Sequence, residues 1–192
     1  MRKLTMHELG RKSVEEFKQA NKIPVVAVLD NVRSMHNVGS VFRTADGFLL
    51  HSVILCGYTP QPPHRDIQKT ALGATDSVDW LYYPTTIEAV SDLRKDGFTI
   101  WAIEQVDKSL PLNEIKTGYP QKLAVIFGNE VTGVDEQVLE QSDAAIEIPQ
   151  AGMKHSLNIS VAAGIVLWEL FKQYAPGLIL NGSAVPSPQQ NM

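Results

Sequence analysis

Three polar segments carry residues of the kinds that bind charged ligands or substrates. The first segment covers residues 30–48 and contains Asn37, Gly39 and Arg43. Asn37-Val-Gly39 is typical of a turn that begins a helix, which would carry Arg43 about one and a half turns further on. An arginine there presents a planar fork of N–H donors that suits a phosphate group. The alternative is that Arg43 pairs with Asp46 on the helix surface.

The second segment, residues 127–133, reads Phe-Gly-Asn-Glu-Val-Thr-Gly. Gly128 and Gly133 match the ends of the dinucleotide fingerprint G-x-G-x-x-G, but Glu130 occupies the position of its middle glycine. Because that glycine lets the backbone approach a pyrophosphate, a carboxylate there disfavours a nicotinamide or flavin dinucleotide. A ligand without phosphate and with a positive centre, such as S-adenosylmethionine, fits better. The alternative is that Glu130 caps the following helix, where an acidic side chain interacts well with the dipole.

The third segment covers residues 148–160 and leads from the last predicted strand into a mostly apolar helix. Serine is a favoured N-cap residue, so Ser156 is a plausible N-cap of that helix. Asn158 would then lie in the first turn of a buried helix, where a polar side chain needs a hydrogen-bond partner. Capping accounts for Ser156 but does not explain Asn158.

Short apolar, β-branched runs alternate with longer helical patterns, which indicates an α/β fold with a parallel sheet of about six strands and helices on both faces. Open sheets of this kind bind ligands at the carboxyl ends of their strands, and each polar segment follows a strand. Prolines 60, 62 and 63 predict a loop over residues 60–73. The predicted strands are residues 25–29, 52–56, 78–81, 99–103, 123–127 and 144–148, and the predicted helices are residues 38–48, 87–95, 134–141 and 157–173.

The length of 192 residues favours one domain, which we place at residues 24–175. Residues 1–23 hold six Lys or Arg against three Glu in a chain of net charge −4, and they predict a basic helical arm. Such an arm could meet a polyanion, although a solvated amphipathic helix is the alternative. Residues 176–192 are rich in Pro, Gly and Ser and predict a flexible tail.

Composition also excludes several classes of protein. The single cysteine, Cys56, cannot form an intrachain disulfide or a cysteine zinc site. The longest apolar run is eight residues, from Val161 to Trp168, which is too short to span a bilayer. The first residues hold no apolar stretch of signal-peptide type. We therefore expect a cytoplasmic protein with no metal and no membrane contact; His36, His64 and His155 are not at metal-binding spacing.

Taken in order, the three segments resemble the motifs of the SPOUT superfamily of RNA methyltransferases, in the SpoU or TrmH branch that methylates ribose 2′-hydroxyls. The resemblance covers roughly residues 24–174. It rests on Asn37-x-Gly-x-x-x-Arg43-Thr-Ala-Asp, Phe127-Gly-x-Glu-x-x-Gly133 and Ile148-Pro-x-x-Gly-x-x-x-Ser-Leu-Asn-x-Ser-Val-Ala162.

The resemblance implies a C-terminal deep trefoil knot, an exception among folds, and a homodimer with sites at the interface. S-adenosylmethionine is the implied cofactor and RNA the implied partner, with no metal. Arg43 is assigned as a phosphate clamp that stabilises developing alkoxide, because a group with a pKa above 12 is a poor base. The implied functional positions are Asn37, Arg43, Glu130, Ser156 and Asn158. The implied cofactor contacts are Gly128, Ile148, Leu157 and Glu104.

Many members of that branch carry an additional RNA-binding domain before the catalytic one. Here the N-terminal arm, together with Arg33, Arg65 and Lys69, would have to supply RNA contacts. We expect methylation of tRNA or rRNA, with tRNA favoured by analogy with small relatives. The alternative is an RNA-binding or assembly protein that catalyses no reaction, but the intact motifs argue against it. An enzyme with a nucleotide cofactor is disfavoured by Glu130.

Overall fold

The computed structural model describes residues 1–5, 8, 10–118, 121–154 and 156–180. A short 3-10 turn follows the fifth strand. The elements are α1 (Val14–Gln19), β1 (Ile23–Asp30), α2 (Met35–Gly47), β2 (Leu50–Cys56), α3 (Arg65–Ala71), α4 (Ala74–Ser77), β3 (Trp80–Tyr83), α5 (Thr86–Lys95), β4 (Phe98–Ile103), β5 (Leu110–Pro111), β6 (Lys122–Phe127), α6 (Glu136–Glu140), β7 (Ala144–Glu147), α7 (Ile159–Tyr174) and α8 (Pro176–Leu180).

One parallel sheet of seven strands organises the molecule, in the order β3-β2-β1-β6-β4-β7-β5. The predicted α/β class is confirmed, and a strand lies in each of the six predicted segments. The strand predicted at residues 78–81 lies two residues later, at Trp80–Tyr83. The seventh strand, β5, has only two residues, which is too short to show a periodic pattern in the sequence.

Helices cover both faces of the sheet because successive side chains of a strand point to opposite sides. In β1, Val25, Ala27 and Leu29 join the core beneath α2 and α7. Val26 and Val28 join the second core beneath α5 and α6. Strands buried on both faces read as continuous apolar runs, which is why the central strands could be predicted well.

All four predicted helices begin at other residues than predicted. Helix α5 begins one residue earlier, at Thr86, and α6 two residues later, at Glu136, while the starts of α2 and α7 affect the candidate site. Ser34 caps α2, so this helix begins at Met35 rather than at residue 38. Asn158, not Ser156, is the N-cap of α7, and its side-chain oxygen accepts a hydrogen bond from the Ser160 backbone N–H at 2.9 Å. Asparagine is among the strongest N-cap residues, so the helix starts where its side chain can serve the first turn.

The predicted loop over residues 60–73 was wrong in its second half, which forms α3. His64 caps this helix through Nδ1, which accepts a hydrogen bond from the Asp66 backbone N–H at 3.2 Å. Ile67 and Ala71 are buried against the core. A helix of seven residues with two buried positions is too short to produce a clear amphipathic period.

The terminal regions are only partly as expected. Within the arm predicted at residues 1–23, the structure describes one helix, α1, whose N-terminus is stabilised by a capping box between Ser13 and Glu16. Residues 176–180 form α8 although they belong to the predicted flexible tail, and residues 181–192 lie outside the described residues. In the described part of the chain no helix has the length and apolar character needed to cross a membrane.

Candidate active site

The carboxyl ends of β4, β6 and β7 and the start of α7 surround a cavity of about 530 Å³, which we call the main cavity. Its volume is in the range of small-molecule sites. All four predicted cofactor contacts lie on its lining: Glu104, Gly128, Ile148 and Leu157. A neighbouring depression of about 490 Å³, the side cavity, is lined by Arg33, Ser34, Asn37, Glu130, Val131 and Asn158. The two cavities share Glu130, Val131 and Asn158.

Close backbone packing shapes the second segment. Asn129 and Gly133 exchange two backbone hydrogen bonds of 2.9 Å, which close a tight turn. Gly133 has φ +73°, and a Cβ there would lie 2.2 Å from Oε2 of Glu104. A Cβ on Gly128 would lie 2.1 Å from the carbonyl carbon of Gly133. Both glycines are therefore required by contacts within the protein, whatever ligand is bound.

Glu104 holds this turn against the end of β4. Its Oε2 accepts a hydrogen bond from the Val134 backbone N–H at 3.1 Å, and Oε1 accepts one from the Gln105 backbone N–H at 3.0 Å. Glu104 therefore lines the main cavity and also positions the second segment.

The carboxylate of Glu130 joins the first and second segments. It accepts hydrogen bonds of 3.0 Å from the backbone N–H groups of Arg33 and Ser34 and from Nδ2 of Asn37. Partial burial alone would raise the pKa of Glu130, but these donors and its own backbone N–H together hold that pKa below its ordinary value. Glu130 is thus ionised at neutral pH with both oxygens engaged. It does not cap the next helix, because Asp135 does.

Asn158 extends the network to the third segment. Its Nδ2 donates to Oδ1 of Asn37 at 3.2 Å, while its Oδ1 accepts hydrogen bonds from the Ser160 backbone and hydroxyl at 2.9 and 2.6 Å. One chain of hydrogen bonds therefore runs from Glu130 through Asn37 to Asn158. Asn158 is exposed and lies at the N-cap, so the prediction that it lies in a buried first turn was wrong; its partner Asn37 could not be identified from the sequence alone.

Sequence reasoning missed Asp30, the last residue of β1. Its side chain is 2% exposed. Oδ1 accepts hydrogen bonds from the Thr86 hydroxyl at 2.5 Å and from Nδ2 of Asn31 at 2.9 Å, and Oδ2 accepts one from the Asp135 backbone N–H at 3.0 Å. Asp30 therefore ties the residues after the second segment to β1. The sequence feature that could have identified Asp30 is its position as a carboxylate directly after a run of apolar strand residues.

Two predicted site residues lie apart from this network. Ser156 lines the main cavity and is exposed, and it caps no helix. Arg43 is exposed on α2 and lines neither cavity. Six residues advance a helix by about 600°, so Arg43 points roughly 120° away from Asn37 around the axis. Within the described residues Arg43 forms no ion pair with Asp46, whose carboxylate accepts a hydrogen bond from Ser77.

Negative charge dominates the lining of the main cavity. Glu104, Glu130 and Glu147 contribute carboxylates, and no Lys, Arg or His among the described residues lines it. Apolar contacts come from Ile148 and Leu157. This set of groups fits a partly apolar ligand with a cationic centre and is unfavourable for a polyphosphate. In the described ranges no group of three His, Cys, Asp or Glu residues is placed to hold a metal ion.

The fold and the site define a class: a parallel α/β protein with a small-molecule cavity built from three loops at the carboxyl edge of its sheet. The sequence model of the SpoU rRNA methylase family matches residues 24–168, and the chain belongs to this family. The family predicted from the three motifs is thereby confirmed, and with it the activity class, RNA methylation.

Similar proteins of known name and structure agree with this assignment. The tRNA (guanosine(18)-2′-O)-methyltransferase of Thermus thermophilus is 35% identical over 172 residues, which are 86% of this chain and 84% of that protein. The crystal structure of the A. aeolicus TrmH/SpoU tRNA modifying enzyme has a TM-score of 0.75 at 25% identity, covering 92% of this chain and 85% of that one. The AdoMet-bound rRNA methyltransferase from Sinorhizobium meliloti has a TM-score of 0.71 at 27% identity, covering 84% and 60%.

Proposed function

We propose that this protein transfers a methyl group from S-adenosylmethionine to a ribose 2′-hydroxyl of tRNA or rRNA, with tRNA favoured. The observation that carries the proposal is the hydrogen-bond chain Glu130–Asn37–Asn158, which unites the three family motifs between the two cavities. The preference for tRNA rests on the Thermus thermophilus relative, of which this chain spans 84%. The 23S rRNA (guanosine-2′-O-)-methyltransferase RlmB of Nitrosomonas europaea is 31% identical, and the chain covers 62% of it.

The main cavity is the proposed cofactor site. Gly128, Ile148 and Leu157 would hold the cofactor through backbone groups and apolar contact, and the carboxylates of Glu104 and Glu147 would offset its positive charge. When bound, the cofactor supplies an electrophilic methyl group on a sulfonium. A ligand of this charge matches the acidic lining better than a dinucleotide does.

The side cavity is the proposed site of the substrate ribose. Because methyl transfer requires in-line approach, holding the two binding regions in a constant relation is the main catalytic contribution of the protein. Glu130, Asn37 and Asn158 supply that rigidity, since they connect the loops on which both cavities depend. We therefore assign these three as positioning residues. Ser156 is a proposed contact residue through its place on the main cavity.

A homodimer is proposed because one chain alone leaves Arg43 outside both cavities. On α7, Val161, Ile165 and Trp168 are 49, 38 and 43% exposed, and their spacing places them on one helix face. An exposed apolar stripe of this kind is typical of an interface between subunits. Helix α2 packs against α7, so Arg43 is carried by an element next to this stripe, and its proposed role in the dimer is that of a phosphate clamp at the partner's cavities.

The proposal also includes a C-terminal trefoil knot and a cytoplasmic location. The knot is proposed from the resemblance of the three motifs to the SPOUT superfamily; in the sheet, β6 lies between β1 and β4, and β7 lies between β4 and β5. A crystal structure with continuous density through the third segment tests the knot. Fractionation of cells tests the location.

Total RNA from a strain lacking the gene, digested to nucleosides and analysed by mass spectrometry, tests the function. We expect one ribose-methylated nucleoside to be missing and to be restored when purified protein and S-adenosylmethionine are added. An unchanged profile, with no methyl incorporation into any RNA, would refute the proposal and favour the RNA-binding alternative.

A further inference from the structure

An exposed tyrosine lies beside the candidate active site but takes no part in the hydrogen-bond chain Glu130–Asn37–Asn158. Tyr58 follows β2 and is 62% exposed. Nδ2 of Asn129 donates hydrogen bonds both to the Tyr58 hydroxyl at 3.0 Å and to the backbone carbonyl of Asn31 at 2.7 Å. The Tyr58 backbone N–H donates to Oδ1 of Asn31 at 3.3 Å. Tyr58 is therefore tethered at its hydroxyl and at its backbone, while most of the ring remains in solvent.

The backbone before Tyr58 is built for this position. Gly57 has φ +61°, and a Cβ there would lie 2.0 Å from Oδ1 of Asn31. Only glycine allows the chain to pass this close to Asn31 in that conformation. Because the ring is already held in place, binding a ligand against it would cost little side-chain entropy.

The surroundings of Tyr58 are basic, in contrast to the chain as a whole. Residues 31–37 and 57–71 together hold Arg33, Arg65 and Lys69 against one carboxylate, Asp66, which pairs with Lys69 at 2.6 Å, in a protein of net charge −4. The two segments lie side by side, because the Thr70 hydroxyl donates a hydrogen bond to the backbone carbonyl of His36 at 3.0 Å. We call the surface formed by Arg33, His36, Tyr58, Arg65 and Lys69 the Tyr58 face.

Arg33 connects this face to the site. It lines the side cavity, and its backbone N–H donates to Glu130. In the ranges that the structure describes, its guanidinium forms no hydrogen bond or ion pair. The backbone of Arg33 is therefore fixed while its guanidinium is available, and a guanidinium is suited to contact a phosphate.

We propose that Tyr58 stacks on a nucleobase of the RNA substrate while Arg33 contacts a phosphate of the same strand, next to the ribose in the side cavity. This inference rests on the proposed function. A ring can stack on a base only when the base is unstacked from its neighbours, as in loops and bulges. The substrate nucleotide therefore lies in an unpaired region of the RNA.

The stacking role is tested with Tyr58→Phe, Tyr58→Trp and Tyr58→Leu, using tRNA from a strain lacking the gene. Loss of one base–aromatic stack predicts that Tyr58→Leu raises KM for tRNA by roughly 5- to 150-fold, from about 1–3 kcal/mol. Cofactor affinity should stay within twofold. Tyr58→Phe and Tyr58→Trp keep a ring and should stay within about threefold of wild type in KM.

The phosphate contact is tested with Arg33→Gln, whose binding to the same tRNA pool should depend less steeply on salt. We expect the slope of log affinity against log salt to fall by about one unit. Lys116→Gln is the matched control, because Lys116 is an exposed cation that, like the Arg33 guanidinium, has no hydrogen-bond or ion-pair partner among the described residues, and it lies ahead of β6, at the amino ends of the strands. Its salt slope should equal that of wild type.

The outcomes distinguish the stacking assignment, the phosphate contact and the proposed function. If wild type methylates tRNA but Tyr58→Leu leaves KM unchanged, or if Tyr58→Phe loses as much as Tyr58→Leu, the stacking assignment is wrong and the proposed function stands. An unchanged salt slope for Arg33→Gln overturns the phosphate contact. If wild type methylates no RNA, the proposed function fails and this inference fails with it.

Discussion

Replacing Glu130 by glutamine separates a positioning role from direct participation in the reaction. In Glu130→Gln the amide oxygen can replace Oε1 and keep the hydrogen bonds from Ser34 and Asn37. The amide nitrogen would then face the Arg33 backbone N–H, which loses its acceptor. One hydrogen bond to a charged group contributes about 1.5–3 kcal/mol, and solvent access at this exposed residue reduces that to about 1–2 kcal/mol.

For a chain of this size that loss corresponds to a fall in Tm of roughly 2–8 °C. Thermal denaturation followed by circular dichroism measures it, and single-turnover methylation of tRNA measures the reaction. Because the loops stay connected through Asn37 and Asn158, we expect the rate to fall only by about tenfold, which corresponds to about 1.4 kcal/mol and so lies within the free energy lost. Glu140→Gln, an exposed carboxylate on α6, is the control and should change neither quantity.

The pH dependence follows from the lowered pKa of Glu130. A carboxyl whose pKa is lower in the folded state contributes its stability above its ordinary pKa and loses it as the pH falls through the folded value. The difference in Tm between wild type and Glu130→Gln should therefore be constant from pH 6 to 8 and shrink below about pH 4.5. A variant with unchanged Tm but no methylation would refute the positioning role and make Glu130 a direct participant.

Four further outcomes are expected. Asp30→Asn should lower the free energy of unfolding in urea by about 1–3 kcal/mol, because a buried amide nitrogen cannot accept the bonds that Asp30 accepts. Arg43→Ala should abolish methylation while calorimetry shows cofactor affinity nearly unchanged; lost cofactor binding would contradict the phosphate-clamp role. Val161→Glu should give a monomer in analytical ultracentrifugation and lose activity, since it places a charge in the apolar stripe. Cys56 should react with a disulfide reagent only after unfolding, because burial raises its pKa to about 12.

Much of the fold could be predicted because its signals are local. The central strands are buried on both faces, so each appears as an uninterrupted apolar run, and the long helices show the expected period. Local patterns failed where the elements are short. The helix α3 has too few buried positions to show a recognisable amphipathic pattern in the sequence. The choice between Ser156 and Asn158 as N-cap depends on where α7 packs against the rest of the protein.

The sequence by itself determined the α/β class, the three segments that meet at the site and the family to which they belong. Only the tertiary structure decided what the site residues do. The hydrogen bonds from Asn37 to Glu130 and from Asn158 to Asn37 span 93 and 121 residues of sequence, and they form because β6 lies beside β1 in the sheet. The order of strands is set by packing of the whole chain, and no local pattern of side chains encodes it.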